Sequence, residues 1–364
     1  MSYRFIRNVI VKGLVLFLVF NFAWGLFEGG TAGRFSLYNN LLKGRERLPY
    51  GDNPAESYNL SLYDIDPMLA SHKLSGTPKA ADEFRVIVLG DSSTWGTLLK
   101  PEETLAGVLD AAGIQTEDGG RVRVYNLGYP TLSLMKDLML LEEAMRHSPD
   151  LVLWPVTLES FPRAKQLDSP IVANNPARVN ALISDYELNL PPLEENITFW
   201  QRTLIGQRRA VADRLRLQFY GVIWSATGID QAYSTNYTPA QRDLEANEDY
   251  YGWQPYKIPE DGLAFDLVSA GLQMAGEVPV ILVNEPILIS EGANSDIRYN
   301  FYYPRWVYDE YRAIFNETCS EQGWTCLDLW DAVSQAHFTN TAIHRDAAGE
   351  VLFAQKIIES GWLP

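Results

Sequence analysis

Two places in the sequence combine residue types that could do nucleophilic chemistry. The stretch "FRVIVLGDSSTWG", residues 84 to 96, carries an apolar run straight into Gly90, Asp91, Ser92 and Ser93. Late in the chain, "FTNTAIHRDAAG" holds His344 just before a glycine-containing helix start. A serine on a tight turn after a strand presents its hydroxyl with little steric cover, and backbone N–H groups beside it can face a developing oxyanion. Serine is a weak nucleophile until an imidazole takes its proton, and of the four histidines only His344 has such a setting. His72, His147 and His337 are assigned no chemistry.

Positioning such groups requires a scaffold, and the sequence alternates in a way that supplies one. Apolar runs "RVIVL", "RVRVYNL", "LVLWPV", "PVILV" and "TCLDLW" are separated by amphipathic segments such as "PEETLAGVLDAAG", "LMKDLMLLEEAMRH", "GLAFDLVSAGLQMAG" and "PRWVYDEYRAIFNET". Continuous apolar strands between helices imply a parallel sheet covered on both faces. The expected fold class is α/β, a three-layer α/β/α domain with a parallel sheet of about five strands. In such sheets ligands bind beyond the carboxyl ends of the strands. Those ends carry Gly90 to Ser93, "NLGYP" with Gly128, "VTLESF", and "NEP" with Asn284 and Glu285.

Three of these blocks, in this order, resemble the SGNH or GDSL-type hydrolase superfamily over residues 84 to 362. "GDSSTWG" resembles the first block, which implies Ser92 as nucleophile within the Gly90, Asp91 motif and its N–H as an oxyanion donor. "NLGYP" resembles the second, which implies a backbone N–H from Gly128 to the oxyanion. "IHRDAAG" resembles the final block, which implies His344 as general base. The resemblance implies a flavodoxin-like sheet and no cofactor.

Two positions depart from the family pattern. Its third block supplies an asparagine to the oxyanion, whereas "PDLVLWPVTLES" puts Glu159 there. An ionised carboxylate donates no hydrogen bond and repels the developing charge, so Glu159 is either turned away or kept protonated by burial. The family also places an aspartate three residues before the histidine, and here that residue is Thr341, preceded by Asn340. A neutral partner, Asn340, Thr341 or a carbonyl, would orient the imidazole but stabilise imidazolium less.

Residues 1 to 27 read as an N-terminal membrane anchor. Arg4, Arg7 and Lys12 precede the uncharged run Gly13 to Phe27, and extending it back to Phe5 gives a span of adequate length if the basic residues snorkel. The positive flank places the N-terminus in the cytoplasm and the following domain outside it. A cleaved signal peptide shares this layout, but "FAWGLFEGGTAG" is a poor cleavage site. Residues 28 to 83 read as a membrane-proximal stalk that partly packs on the domain. Residues 84 to 364 form the domain itself, with an insertion at about 161 to 262. Within that insertion one helix is expected through "TFWQRTLIGQRRAVADRLRLQFYGVIW". It carries Arg202, Arg208, Arg209, Arg214 and Arg216 against only Asp213, with Phe199, Trp200, Phe219, Tyr220 and Trp224. That composition suits either a membrane-facing helix or an ordinary solvated basic face.

Cys319 and Cys326 permit a local disulfide between a helix end and the next strand, or else two reduced core thiols. No second pair of His or Cys stands at zinc spacing, so no metal is expected. A formal charge of −16 argues against nucleic acid as a partner. Anchor and outward-facing domain together resemble superfamily members that transfer or remove acyl groups on cell-surface glycans beside a multi-spanning membrane acyl donor protein. Three functions stay open: an esterase or O-acyltransferase of acylated glycans, a lipase-like or thioesterase-like hydrolase of small acyl esters, and a catalytically silent assembly protein. The aromatic run "YNFYYPRW" would either stack on sugar or pack a long loop.

Overall fold

The computed structural model describes residues 2–26, 35–42, 44–51, 64–195, 198–231, 236–253, 255 and 257–364. Helix α1, Tyr3–Leu26, runs for 24 residues with almost every side chain exposed. Strand β1, Glu83–Val88, then leads through a single turn of helix, α2 (Ser92–Trp95), to α3 (Leu105–Ala111) and β2 (Arg121–Asn126). Helix α4 (Leu134–Met145) crosses to β3 (Leu151–Val156). A long excursion follows, containing α5 (Phe199–Arg202) and α6 (Arg208–Thr227). Helix α7 (Phe265–Ala275), β4 (Val280–Asn284), α8 (Arg305–Gln322), β5 (Thr325–Asp328) and α9 (Ala347–Glu359) complete the chain.

The five strands pair in parallel in the order β2-β1-β3-β4-β5. Strict alternation of apolar side chains builds the two faces. Val86, Val88, Val124, Leu153, Ile281 and Val283 point to the layer of α3 and α9, whose Leu105, Leu109, Phe353 and Ile357 bury against them. Ile87, Tyr125, Val152, Trp154 and Leu282 point the other way, onto Leu138 and Leu141 of α4, Leu267 of α7 and Tyr308 and Tyr311 of α8. The expected three-layer α/β/α architecture is therefore present, each of its five strands falling within two residues of the apolar run that marked it. Reversal of strand order between β1 and β3 opens the crevice in which such sheets hold ligands.

Two regions differ in detail from the expectation. Tyr38, Leu48, Ile65, Met68, Leu69 and Leu74 join the main apolar core, so the described part of residues 28 to 83 is packed more fully than a stalk. Residues 27–34 and 52–63, on which the stalk and the cleavage-site expectation partly fall, lie outside the described residues. The single helix expected through 198 to 224 is two helices. Thr203 breaks it, donating its hydroxyl to Trp200 O at 2.6 Å and accepting the Gly206 N–H at 3.3 Å, which folds the chain back before α6. Cys319, near the end of α8, and Cys326, in β5, form a disulfide.

Candidate active site

The turn after β1 is set by Gly90 and Asp91. Gly90 has φ +133°, and a Cβ there would meet Thr94 Oγ1 at 2.3 Å, so only glycine fits. Asp91 caps α2, its Oδ1 accepting the Ser93 N–H at 2.7 Å. Ser92 is thereby the first helical residue, half-buried, with an N–H that no residue of its own helix can accept. Ser93 points inward, donating its hydroxyl to Glu285 Oε2 at 2.5 Å.

Ser92 Oγ stands 2.7 Å from His344 Nε2, and His344 Nδ1 stands 2.8 Å from Asn340 Oδ1. Since the amide oxygen only accepts, Nδ1 carries the ring proton and Nε2 offers its lone pair to the serine O–H. Burial, reinforced by the Arg345 charge, pushes His344 down to about 3, which keeps the ring neutral. The loop is closed by Thr339 N donating to His344 O at 2.8 Å and by an antiparallel bridge between Phe338 and Arg345. Thr341 is not the ring's partner. Its hydroxyl accepts the backbone N–H groups of Ile343 (3.3 Å) and His344 (3.1 Å), so it shapes the turn that delivers Asn340.

Gly128 and Glu159 sit differently from the expectation. The Gly128 N–H donates to Asn126 Oδ1 at 2.9 Å, while Asn126 Nδ2 donates to Thr94 O at 2.7 Å. That N–H is thus held within the protein, and the glycine serves close approach: a Cβ at 128 would meet Trp95 N at 2.5 Å. Glu159 is buried, and its carboxylate accepts from Lys165 Nζ, Tyr251 Oη and, at 2.9 Å, Tyr250 Oη. Three donors converge on it and engage both of its oxygens as acceptors. Neither residue, as placed, offers an N–H to an oxyanion.

Beneath the turn lies a buried network that the motifs gave no sign of. Glu285 Oε2 also accepts from Arg345 Nη1 at 3.0 Å, and Arg345 Nε donates to Glu350 Oε1 at 3.0 Å. Lys136, fully buried, donates to Gly90 O at 2.6 Å and pairs with Asp137 at 2.5 Å. Burial, and then the nearby Asp91 charge, pushes Glu285 up to about 8, and burial raises Asp91 as well. A lysine inside the apolar run "LMKDLMLL" was the available signal for this network. Among the described residues no group of three or more His, Cys, Asp or Glu could hold a metal ion.

No protein-family model matches the chain, and no curated protein matches it. Solved structures do resemble it, among them lipolytic G-D-S-L family proteins and esterases. A member of that lipolytic family from Veillonella parvula is 12% identical with a TM-score of 0.35, the match covering 76% of this chain and 96% of that one. A carbohydrate acetylesterase from Sinorhizobium meliloti is 13% identical with a TM-score of 0.34, over 76% and 97%. An aryl esterase of M. smegmatis has the same identity, TM-score and coverage. At such scores the chemistry rests on the geometry of the site itself.

Proposed function

We propose that this chain is a membrane-anchored SGNH-type serine esterase or O-acyltransferase acting on acyl esters, acetyl esters foremost, of cell-surface glycans. The observation that carries this reading is the linked set Ser92 Oγ to His344 Nε2 at 2.7 Å and His344 Nδ1 to Asn340 Oδ1 at 2.8 Å. Ser92 Oγ attacks the ester carbonyl while its proton passes to His344 Nε2. The carbonyl oxygen takes up negative charge against the Ser92 N–H at the start of α2. Collapse returns the proton from His344 to the departing alcohol and leaves an acyl ester on Ser92. Water, or a glycan hydroxyl, then gives its proton to His344 and attacks the acyl carbonyl; the bond to Ser92 Oγ breaks as His344 returns the proton to that oxygen, and the acceptor, water or glycan, distinguishes hydrolysis from transfer. Ser93 is excluded as nucleophile by its bond to buried Glu285.

The glycan assignment is supported by the aromatic rim around Glu159. Tyr251 is exposed, Trp253 and Tyr302 are partly exposed, and faces of this kind stack on sugar rings. By contrast Tyr299, Tyr303 and Trp306 of the run "YNFYYPRW" are buried and pack the core. Residues 1 to 27 serve as the anchor, with Arg4, Arg7 and Lys12 on the cytoplasmic side and the domain outside the membrane. Retention of that helix is supported by its packing: Asn21 is 2% exposed and its Oδ1 accepts the Ile205 N–H at 2.9 Å. For transfer, a multi-spanning membrane acyl donor protein is the fitting partner.

A catalytically silent assembly protein is the second reading, favoured by the engaged Gly128 N–H and by the Glu159 carboxyl held by Lys165. Fluorophosphonate labelling of the full chain with peptide mapping decides between them. Label on Ser92, abolished by Ser92→Ala and retained by Ser93→Ala, is the expected result. The reverse pattern refutes the assignment of the nucleophile, and a folded wild type that never reacts supports the silent reading.

A further inference from the structure

We propose that α5 and α6 lie in the headgroup layer of a bilayer rich in acidic lipid, as a second membrane contact that fixes the catalytic turn relative to the anchor. Helix α6 has two apolar faces. Leu217, Gly221 and Trp224 face the protein and are buried. On the opposite side Leu215, Phe219, Val222 and Ile223 follow the i, i+4, i+7, i+8 spacing of a single stripe. All four are exposed, Phe219 at 70%. A stripe of large apolar side chains that the described residues leave exposed marks an interaction surface.

The occupant is indicated by what lies next to it. The end of α1 packs directly on the α5 segment: Phe22 stacks on Phe199 with ring centroids 5.9 Å apart, and Trp24 Nε1 donates to Gln207 Oε1 at 3.1 Å. From Arg4 to Trp24 the helix rises about 30 Å, the thickness of a hydrocarbon core, with the Lys12 ammonium snorkelling toward the Arg4 end. Arg4 and Arg7 therefore mark one interface and Trp24 with α5 the other. Trp200, 65% exposed beside Phe22, sits where interfacial aromatic residues concentrate. Exposed Arg208 and Arg209 open α6 one to two turns before the stripe, and exposed Arg202 ends α5, in a chain whose formal charge is −16. A local cationic rim around an apolar stripe matches acidic headgroups over acyl chains.

The inner face of α6 ties this surface to the active site. Arg45 stacks over the Trp224 ring at 4.5 Å and donates to Asp230 Oδ2 at 2.7 Å. Two residues on, Arg47 donates to Gln231 Oε1 at 3.2 Å and to Gly96 O at 2.9 Å, at the end of α2. A helix held in the interface thus holds the Ser92 turn through two buried arginines.

The test uses the full chain reconstituted in phosphatidylglycerol and phosphatidylcholine vesicles that carry a doxyl-labelled lipid. Both cysteines are in the disulfide, so a new cysteine provides the one free thiol for an environment-sensitive fluorophore. Phe219→Cys and Ile223→Cys conjugates should be quenched at least twofold, while Glu117→Cys, in the loop before β2, should not be. The triple change Arg202→Gln, Arg208→Gln and Arg209→Gln should reduce that quenching in acidic vesicles. A chain that floats with the vesicles yet leaves positions 219 and 223 as unquenched as 117 keeps the anchor and overturns the interfacial helix. A chain that fails to float overturns both.

Discussion

Asn340→Asp converts the neutral partner of His344 into an anion without changing its size. In the native site the imidazole sits 2.8 Å from an amide oxygen, buried, and is held down to about 3 by burial and by Arg345. Taking the Ser92 proton creates imidazolium, which the amide stabilises only as a neutral acceptor. A hydrogen bond to a charged group contributes about 1.5–3 kcal/mol against about 0.5–1.5 for a neutral one. The carboxylate meets a neutral ring before the transfer and a charged one after it, so most of the gain of about 1–1.5 kcal/mol falls on the transition state and lowers the barrier. Acylation of Ser92 should accelerate roughly tenfold. The carboxylate also raises the pKa of the ring, so the acid limb, on which activity is lost as pH falls through that pKa, moves to higher pH. The assay is the second-order rate of fluorophosphonate labelling from pH 4 to 9 for wild type, Asn340→Asp and Asn340→Ala, with thermal unfolding as the fold control. An Asn340→Asp rate at or below wild type in a folded protein, or an Asn340→Ala rate equal to it, refutes the role of Asn340.

Other outcomes follow from the same contacts. Glu159→Gln leaves half-buried Lys165 without its carboxylate and should cost about 1–3 kcal/mol, lowering Tm, while Ser92 labelling changes less than tenfold. A thousandfold loss of labelling at unchanged Tm would instead put the carboxylate in the chemistry. Glu285 binds its proton more tightly in the fold, at about 8, than in the unfolded chain, near 4.5. Its contribution to stability is complete below about 4.5 and is lost as pH rises to 8, so Glu285→Gln should flatten the fall in Tm over that window; an equally steep fall contradicts the shift. Replacing Cys319 and Cys326 by serine opens a loop with a sequence separation of 7 and should cost about 2.5 kcal/mol, read by chemical denaturation.

The sheet was legible because its signal is local. "LVLWPV" is apolar on both sides of the strand, and residues 151 to 156 are buried throughout, so periodicity alone identified a central parallel strand. The helix break at Thr203 was not legible. Its cause is a side-chain hydroxyl turned onto Trp200 O, and nothing in the apolar pattern of "TFWQRTLIG" distinguishes that from a solvent-facing threonine. The packing of the described residues between 35 and 83 depended on where Tyr38 and Leu48 come to rest, which sequence spacing does not specify.

In the site, local and distant information separate in the same way. Gly90, Asp91 and Ser92 act on one another within four residues, and a short motif can encode them. Glu285 meets Ser93 from 192 residues away and Arg345 meets Glu285 from 60, so no short window contains the network. The histidine loop is the instructive intermediate case. A motif that expects an acid three residues before the histidine points at Thr341, but the side chain there is spent on the backbone N–H groups of Ile343 and His344. Using position three as the turn former rotates position four toward the ring, and Asn340 Oδ1 reaches Nδ1 at 2.8 Å. The partner of the imidazole is thus decided by which side chain makes the turn, a property of the loop conformation rather than of spacing along the chain.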